Sequence, residues 1–205
     1  MLVEFSVKNF RSICDEQRLS MVASAAREHE ASHVFDCGAP GVGRLLLSAV
    51  LYGANAAGKS NFLRALSTVE RIVLNSAKES QQGENLEISP FEANSDNKPS
   101  VFEVVFVQQK VKYQFGFSAS NERILEEWLY AFPEGKAQKW YYRTERDGKT
   151  EYEYGSFLKG HKRQWESATR SNSLFLSTAV QLNSGQLALV FQWFKETLRM
   201  VLGKG

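Results

Sequence analysis

The stretch "GANAAGKS", residues 53–60, constrains this chain more than any other. It fits the spacing G-x-x-x-x-G-K-[ST], each fixed position of which has a physical task. Gly53 and Gly58 are expected to allow backbone angles that a side chain forbids, and to let amides approach a bound group closely. Lys59 offers a compact cation for phosphate oxygens, and the Ser60 hydroxyl a ligand for Mg²⁺. The pattern belongs at a turn from strand into helix, where free N–H groups and the helix dipole favour an anion. Both flanks are present. "RLLLSAVLYG", residues 44–53, is a nearly continuous apolar run, which predicts a strand buried on both faces and central in a parallel sheet. "SNFLRALSTVERIVLNSA" has apolar residues at 62, 63, 66, 69, 72, 73 and 77, steps that predict an amphipathic helix. A plain glycine turn is the alternative, and the strand before and the helix after count against it.

The rest of the chain divides by pattern. "LVEFSVKNF" sets Val3, Phe5, Val7 and Asn9 on one face and Leu2, Glu4, Ser6 and Lys8 on the other, a strand with one apolar side. "QRLSMVAS" is its plausible partner across a short turn, and "AREHEASHVFDCGAPGVG" reads as a loop. A polar loop with two prolines follows the helix. Then "VFEVVFVQQ", "VKYQFGFSAS", "RILEEWLYAF" and "QKWYYRTER" predict an antiparallel meander of about four strands. "EYEYGSFLKGHKRQWESATRSNS" is weakly patterned. "LFLSTAVQL" is apolar, and "SGQLALVFQWFKETLRMVL" has helical periodicity, with Ser184 placed to cap it. The fold class expected is α/β: a mixed sheet carrying the P-loop strand and helix (1–80), a β-rich part beside it (86–155) and a helical segment (170–203), all in one domain over 1–205.

Composition narrows the setting. Hydrophobic residues make up 43% of the 205 and charged residues 23%, enough for a buried core. A formal net charge of +2 is too small to argue for nucleic acid or a membrane surface. Cys14 and Cys37 do not make a disulfide framework, so a reducing cytoplasmic compartment is expected. The N-terminus alternates apolar and polar residues, unlike a signal peptide. No apolar run approaches the ~20 residues of a membrane span.

Several stretches in order, "LVEFSVKNFRSI", "LLSAVLYGANAAGKSNFLRAL", "ISPF", "EEWLY" and "LFLSTAVQLN", give a resemblance. The chain resembles the N-terminal half of an ABC-type ATPase of the SMC, RecF and OLD branch, and more narrowly the prokaryotic ATP-binding proteins of abortive infection and other anti-phage defence, AAA-family ATPases in the broad sense. The resemblance implies the first lobe of an ABC-type head domain, a P-loop NTPase fold, and ATP with Mg²⁺ as cofactors. It places ATP on Gly53, Ala54, Asn55, Ala56, Ala57, Gly58, Lys59, Ser60 and Asn61, with Ser60 on the metal and Asn55 toward the γ-phosphate. Asn9, Phe10, Arg11 and Ser12 would lie near the base, ribose or phosphates; a solvated turn residue is the alternative for Arg11. The family commonly has Gly or Ser where Ala56 and Ala57 stand. The role implied is in anti-phage defence or DNA-related processes, with a second copy in a head-to-head dimer and a nuclease or other effector as partners; nucleic acid stays open as a partner, without support in the residues.

Hydrolysis needs an oriented water and a second Mg²⁺ ligand, which the family takes from an apolar strand ending in Asp-Glu. No such strand follows Ser60: Glu126-Glu127 does not follow four apolar residues, and Asp96 and Asp147 lie in polar turns. No catalytic carboxylate is assigned. "LNSGQ", residues 182–186, is similar to the signature loop of such ATPases, but an ordinary capped helix is the commoner use. Gln114 and Gln181 are weak candidates for a glutamine coupled to Mg²⁺. His29, His33 and Cys37 are spaced four apart but fall in a loop. The aromatics Trp128, Tyr130, Phe132, Trp140, Tyr141 and Tyr142 read as a core face before a stacking platform, and "KGHKRQ" as a solvated loop. Beside an ATPase whose hydrolysis needs a C-terminal half stand two alternatives: a complete, non-hydrolysing nucleotide-binding interaction module, and a phosphotransferase, disfavoured by the lack of an arginine-rich lid.

Overall fold

The computed structural model describes residues 1–26, 28–78, 81, 83–91 and 98–200. In chain order it runs β1 (Leu2–Lys8), β2 (Gln17–Ser20), α1 (Glu30–His33), β3 (Val34–Phe35), β4 (Leu45–Leu46) and α2 (Lys59–Asn75). Five strands follow: β5 (Ser100–Gln108), β6 (Val111–Ala119), β7 (Ile124–Phe132), β8 (Gln138–Arg146) and β9 (Lys149–Tyr154). The chain closes with α3 (Lys162–Ala168), α4 (Phe175–Gln181), α5 (Gly185–Gln192) and a π-helical turn, Trp193–Thr197.

Alternation builds the main sheet. Its order is β2-β1-β5-β6-β7-β8-β9, and all its pairings are antiparallel. Phe5 and Val7 of β1 turn to the same side as Phe102, Val104 and Phe106 of β5 and Phe115 and Phe117 of β6, all buried in one core. The helix α2 covers this side with Phe62, Leu66, Val69, Ile72 and Val73. Phe62 meets Phe5 edge to face at 5.1 Å, and Phe106 stacks on Trp193 at 4.2 Å. Each such buried side chain contributes about 1.5–3 kcal/mol of transfer free energy. A smaller cluster of Val3, Ala39, Leu45 and Val107 lies apart, where the loop between β3 and β4 packs on the sheet.

The P-loop helix, the two N-terminal strands and the meander follow their sequence patterns. Four expectations are corrected. The sheet is not mixed, since β1, β2 and the meander form one antiparallel sheet. The run 44–53 is not a buried central strand: only Leu45–Leu46 is a strand, paired with β3 in a separate two-stranded sheet. Beyond it Val50 is 81% exposed and Tyr52 92%. A strand buried on both faces needs two neighbours, and none among the described residues pairs with 47–53. The meander has five strands, because Glu151-Tyr152-Glu153-Tyr154 alternates and pairs with β8 as β9. Helical structure starts before residue 170, at α3, and "LFLSTAVQL" supplies α4.

Candidate functional site

The N-terminus of α2 is open. No side chain caps it, and no carboxylate lies in its first turn. The first helical bond runs from the Phe62 amide to the Gly58 carbonyl at 3.0 Å, so the earlier amides of the turn have no intrahelical partner. The α5 end is its opposite. There the Ser184 hydroxyl accepts from the Leu187 amide at 3.4 Å, and Gln186 is bonded at both ends of its amide to residues 157 and 159. The signature-like stretch 182–186 is thus occupied with its own helix.

Gly58 holds φ +88°, where a side chain is strained, and a Cβ there would lie 3.3 Å from the Ser12 hydroxyl. Gly53 is otherwise. Its φ is ordinary and an added Cβ would meet Ala57 Cβ at 3.6 Å, normal contact, so the backbone freedom expected of it is not used. The second left-handed residue of the loop, beside Gly58, is Ala56, at φ +63°. The Lys59 ammonium donates to the Gly53 and Ala54 carbonyls at 2.7 Å each, folded back over the loop. Asn55 and Ser60 are exposed, and the Ser60 hydroxyl makes no hydrogen bond among the described residues.

The turn after β1 flanks this loop. Asn61 Nδ2 donates to Ser12 Oγ at 2.8 Å, fastening the turn to the second residue of α2 beyond Lys59. Two clefts meet at the loop. One, of about 530 Å³, lies between the β1–β2 connection and residues 56–59, with Cys14, Asp15, Arg18 and Tyr52 on its walls. The other, of about 500 Å³, is bounded by Asn55, Lys59, Ser60, Asn61 and Arg64. Ser12 lines both. Arg11 lines neither: at φ +50° its side chain enters a third cleft with Arg64 and Arg71. Asn9 is buried, its amide donating to the Lys98 carbonyl at 2.6 Å and accepting from Phe91 N at 3.3 Å. Phe10 is buried too. Asn9 and Phe10 hold the turn in place and are not presented to a ligand.

An anion with Mg²⁺ fits these residues. The uncapped amides, the Lys59 ammonium and the exposed Ser60 hydroxyl are donors of the chemistry that suits a phosphate group and a metal ion. Bound there, Mg²⁺ would neutralise phosphate charge. Among the described residues, Asp15 is the only carboxylate on the walls of the two clefts at the loop. It precedes the loop in sequence, whereas the family pattern places its acidic strand after Ser60.

The other candidates lie elsewhere. Glu127 is fully buried; its carboxylate accepts from the Phe175 amide at 2.6 Å, the Leu176 amide at 2.9 Å and the Tyr141 hydroxyl at 2.7 Å, with Arg143 at 3.7 Å. It caps α4 from the sheet. Burial pushes its carboxyl up, against the pull of Arg143 and of those donors, and burial beside Glu127 drives the Tyr141 hydroxyl well up. Alternation puts Glu127 on the apolar side of β7, a signal of its role that needs no structure. Gln114 donates to Glu103, and Gln181 ends α4, neither at the loop. His29 and His33 stand edge to face at 5.4 Å, while Cys37 lies beyond β3; no group of metal-holding side chains forms among the described residues. The aromatics divide between faces. Trp140 and Tyr141 are buried, whereas Trp128 lies over Gly116 and donates to Glu103 at 2.8 Å. Tyr142, bonded to Glu126, has its hydroxyl pushed up to about 12 by burial and that bond. Asp96 falls outside the described residues. No helix among those described is long and apolar enough to cross a membrane.

Residues 48–186 match the family model described as "AAA domain, putative AbiEii toxin, Type IV TA system". No curated protein matches the chain. The matched span covers more than half of the 205 residues and contains the whole loop 53–60 with its helix, so the chain belongs to this family of AAA domains and carries a nucleotide-binding domain of the P-loop ATPase type.

Proposed function

We propose that this chain binds ATP with Mg²⁺ on residues 53–61, as the first lobe of an ABC-type ATPase of the SMC, RecF and OLD branch, acting in anti-phage defence with an effector partner. The observation that carries the binding is the uncapped, acid-free start of α2 beside Lys59. Amides hold the phosphates, Lys59 exchanges its loop carbonyls for phosphate oxygens, and Ser60 takes the metal. Ser12 and Asn61 fix the wall of the site.

Hydrolysis in this reading requires a C-terminal half and a head-to-head dimer. The exposed run 47–52 supports that. It is apolar, and residues 48–52 make no backbone hydrogen bond among the described residues, as befits a strand whose neighbours come from another segment. The non-hydrolysing module has one observation in its favour: among the described residues the only carboxylate on the loop clefts is Asp15, on an exposed connection between strands.

Calorimetry with Mg-ATP tests binding. The expected outcome is micromolar to millimolar affinity, lost at least tenfold in Lys59→Ala with the fold intact by circular dichroism. Steady ATP turnover by the 205-residue chain, abolished by Asp15→Asn, would overturn the need for a further half.

A further inference from the structure

The main sheet has two edges, β2 and β9, and they differ. β2 is four residues long, and the chain that prolongs it is bonded beside β4: the Leu46 amide donates to the Met21 carbonyl at 2.7 Å, and the Ala23 amide to the Arg44 carbonyl at 2.8 Å. β9 runs for six residues in unbroken register with β8 and holds no proline. Such an edge is a template for a further strand. The hairpin turn before it decides which backbone groups face outward. Asp147 and Gly148 both have positive φ, +51° and +73°, a turn that makes Arg146 and Lys149 a hydrogen-bonded pair. Bonded pairs then alternate along the strand, Thr144 with Glu151, Tyr142 with Glu153 and Trp140 with Gly155. The last is seen directly, the Gly155 amide donating to the Trp140 carbonyl at 3.0 Å. The amides and carbonyls of Thr150, Tyr152 and Tyr154 therefore point away from β8, and none has a backbone partner among the described residues.

The strand is fixed from its inner side. Tyr152 and Tyr154 stack there at 6.0 Å and both lie against Phe175, so a partner does not have to order the edge before pairing with it. The outer side sets the charge of that partner. Alternation puts Glu151 and Glu153 on it, and Glu151 continues a row through Thr144 to Glu126. Glu153 is paired with Lys139 at 2.6 Å, whereas Glu151 has no cation at ion-pair distance among the described residues. Lys162 lies 5.5 Å from the Tyr154 ring and so belongs to the inner side. Charges on an edge select what pairs with it, since like charges directly opposite destabilise and unlike charges support. A second copy is opposed: in both two-fold registers that overlap most of β9, Glu151 stands opposite Glu151 or Glu153 of that copy. A basic strand is favoured, with lysine or arginine beside the glutamates and apolar residues beside the tyrosines. We infer that β9 is a docking edge, at which an extended basic segment of a partner protein adds to the seven strands of the sheet. The edge lies at the opposite end of the sheet from β1 and β2, whose connection walls the phosphate loop, and the docking is independent of the nucleotide there.

The probe is a fluorescein-labelled peptide about six residues long, in which lysine and valine alternate, added to the full 205-residue chain without ATP. Anisotropy is expected to give a Kd of about 1 mM or tighter, and amide exchange followed by NMR to show new protection at Thr150, Tyr152 and Tyr154. The amides of Glu151 and Glu153, already bonded to β8, are expected to change little. Thr150→Pro removes an outward amide and leaves the bonds to β8; it is expected to weaken binding about tenfold with the circular dichroism unchanged. Glu151→Lys is expected to weaken the lysine peptide several-fold and to gain binding of a peptide alternating glutamate and valine, which a misfolded variant cannot produce. Lys59→Ala is expected to leave all of this intact, so that failure of ATP binding and failure of this inference are separate results. No new protection at the three outward amides with about 1 mM peptide overturns the inference, as does equal binding of a peptide with the same residues arranged in two blocks. A dimer of the free chain in analytical ultracentrifugation that Thr150→Pro abolishes gives the edge to a second copy and overturns it as well.

Discussion

Gly58 is the residue on which the phosphate loop turns. Its left-handed backbone and its nearness to Ser12 leave no room for a side chain without movement. Gly58→Ala is expected to cost about 1–2 kcal/mol locally from the backbone alone. Because the loop around it is exposed, that cost falls on Mg-ATP affinity more than on the melting of the core, and titration calorimetry beside a urea curve separates the two. Glu127 is the reverse case, a charge that serves the core. Glu127→Gln keeps the shape but leaves Arg143 buried without its counter-charge and turns one acceptor of the Phe175 and Leu176 amides into a donor. The expected loss is about 3–5 kcal/mol in a urea titration.

The two helix ends make the contrast at the next scale. Removing the Ser184 hydroxyl in Ser184→Ala is expected to lower stability by about 1 kcal/mol, read as a lower urea midpoint, with no change in Mg-ATP affinity. The α2 end has no cap to lose. Ser184 was legible from sequence because a cap acts over three residues, and α2 because apolar steps of three and four recur over its whole length. β9 is as legible, in the alternation of Glu151-Tyr152-Glu153-Tyr154. What sequence cannot supply is pairing over long distance. The apolar run before the loop looks the same whether or not neighbouring strands flank it, and the turn carrying Arg11 shows no sign of facing Arg64 and Arg71. At the loop itself, spacing predicted glycine freedom at both ends, yet the left-handed angles fall on Ala56 and Gly58.

At the scale of the molecule, protection from exchange should be divided sharply. Amides of β1, β5 and β6, paired on both sides, are expected to exchange only through global opening, while those of residues 48–52 exchange at nearly unstructured rates by mass spectrometry. Slowing of 48–52 on addition of a longer form of the chain would show the neighbour arriving. The place of β1 between β2 and β5 has one more consequence, in time. Its second edge is filled by a strand that begins only at Ser100, so the intervening connection, phosphate loop included, must be closed as a long loop before that pairing rewards it. During synthesis the N-terminal hairpin is therefore expected to wait with one edge of β1 bare until Ser100–Gln108 has emerged.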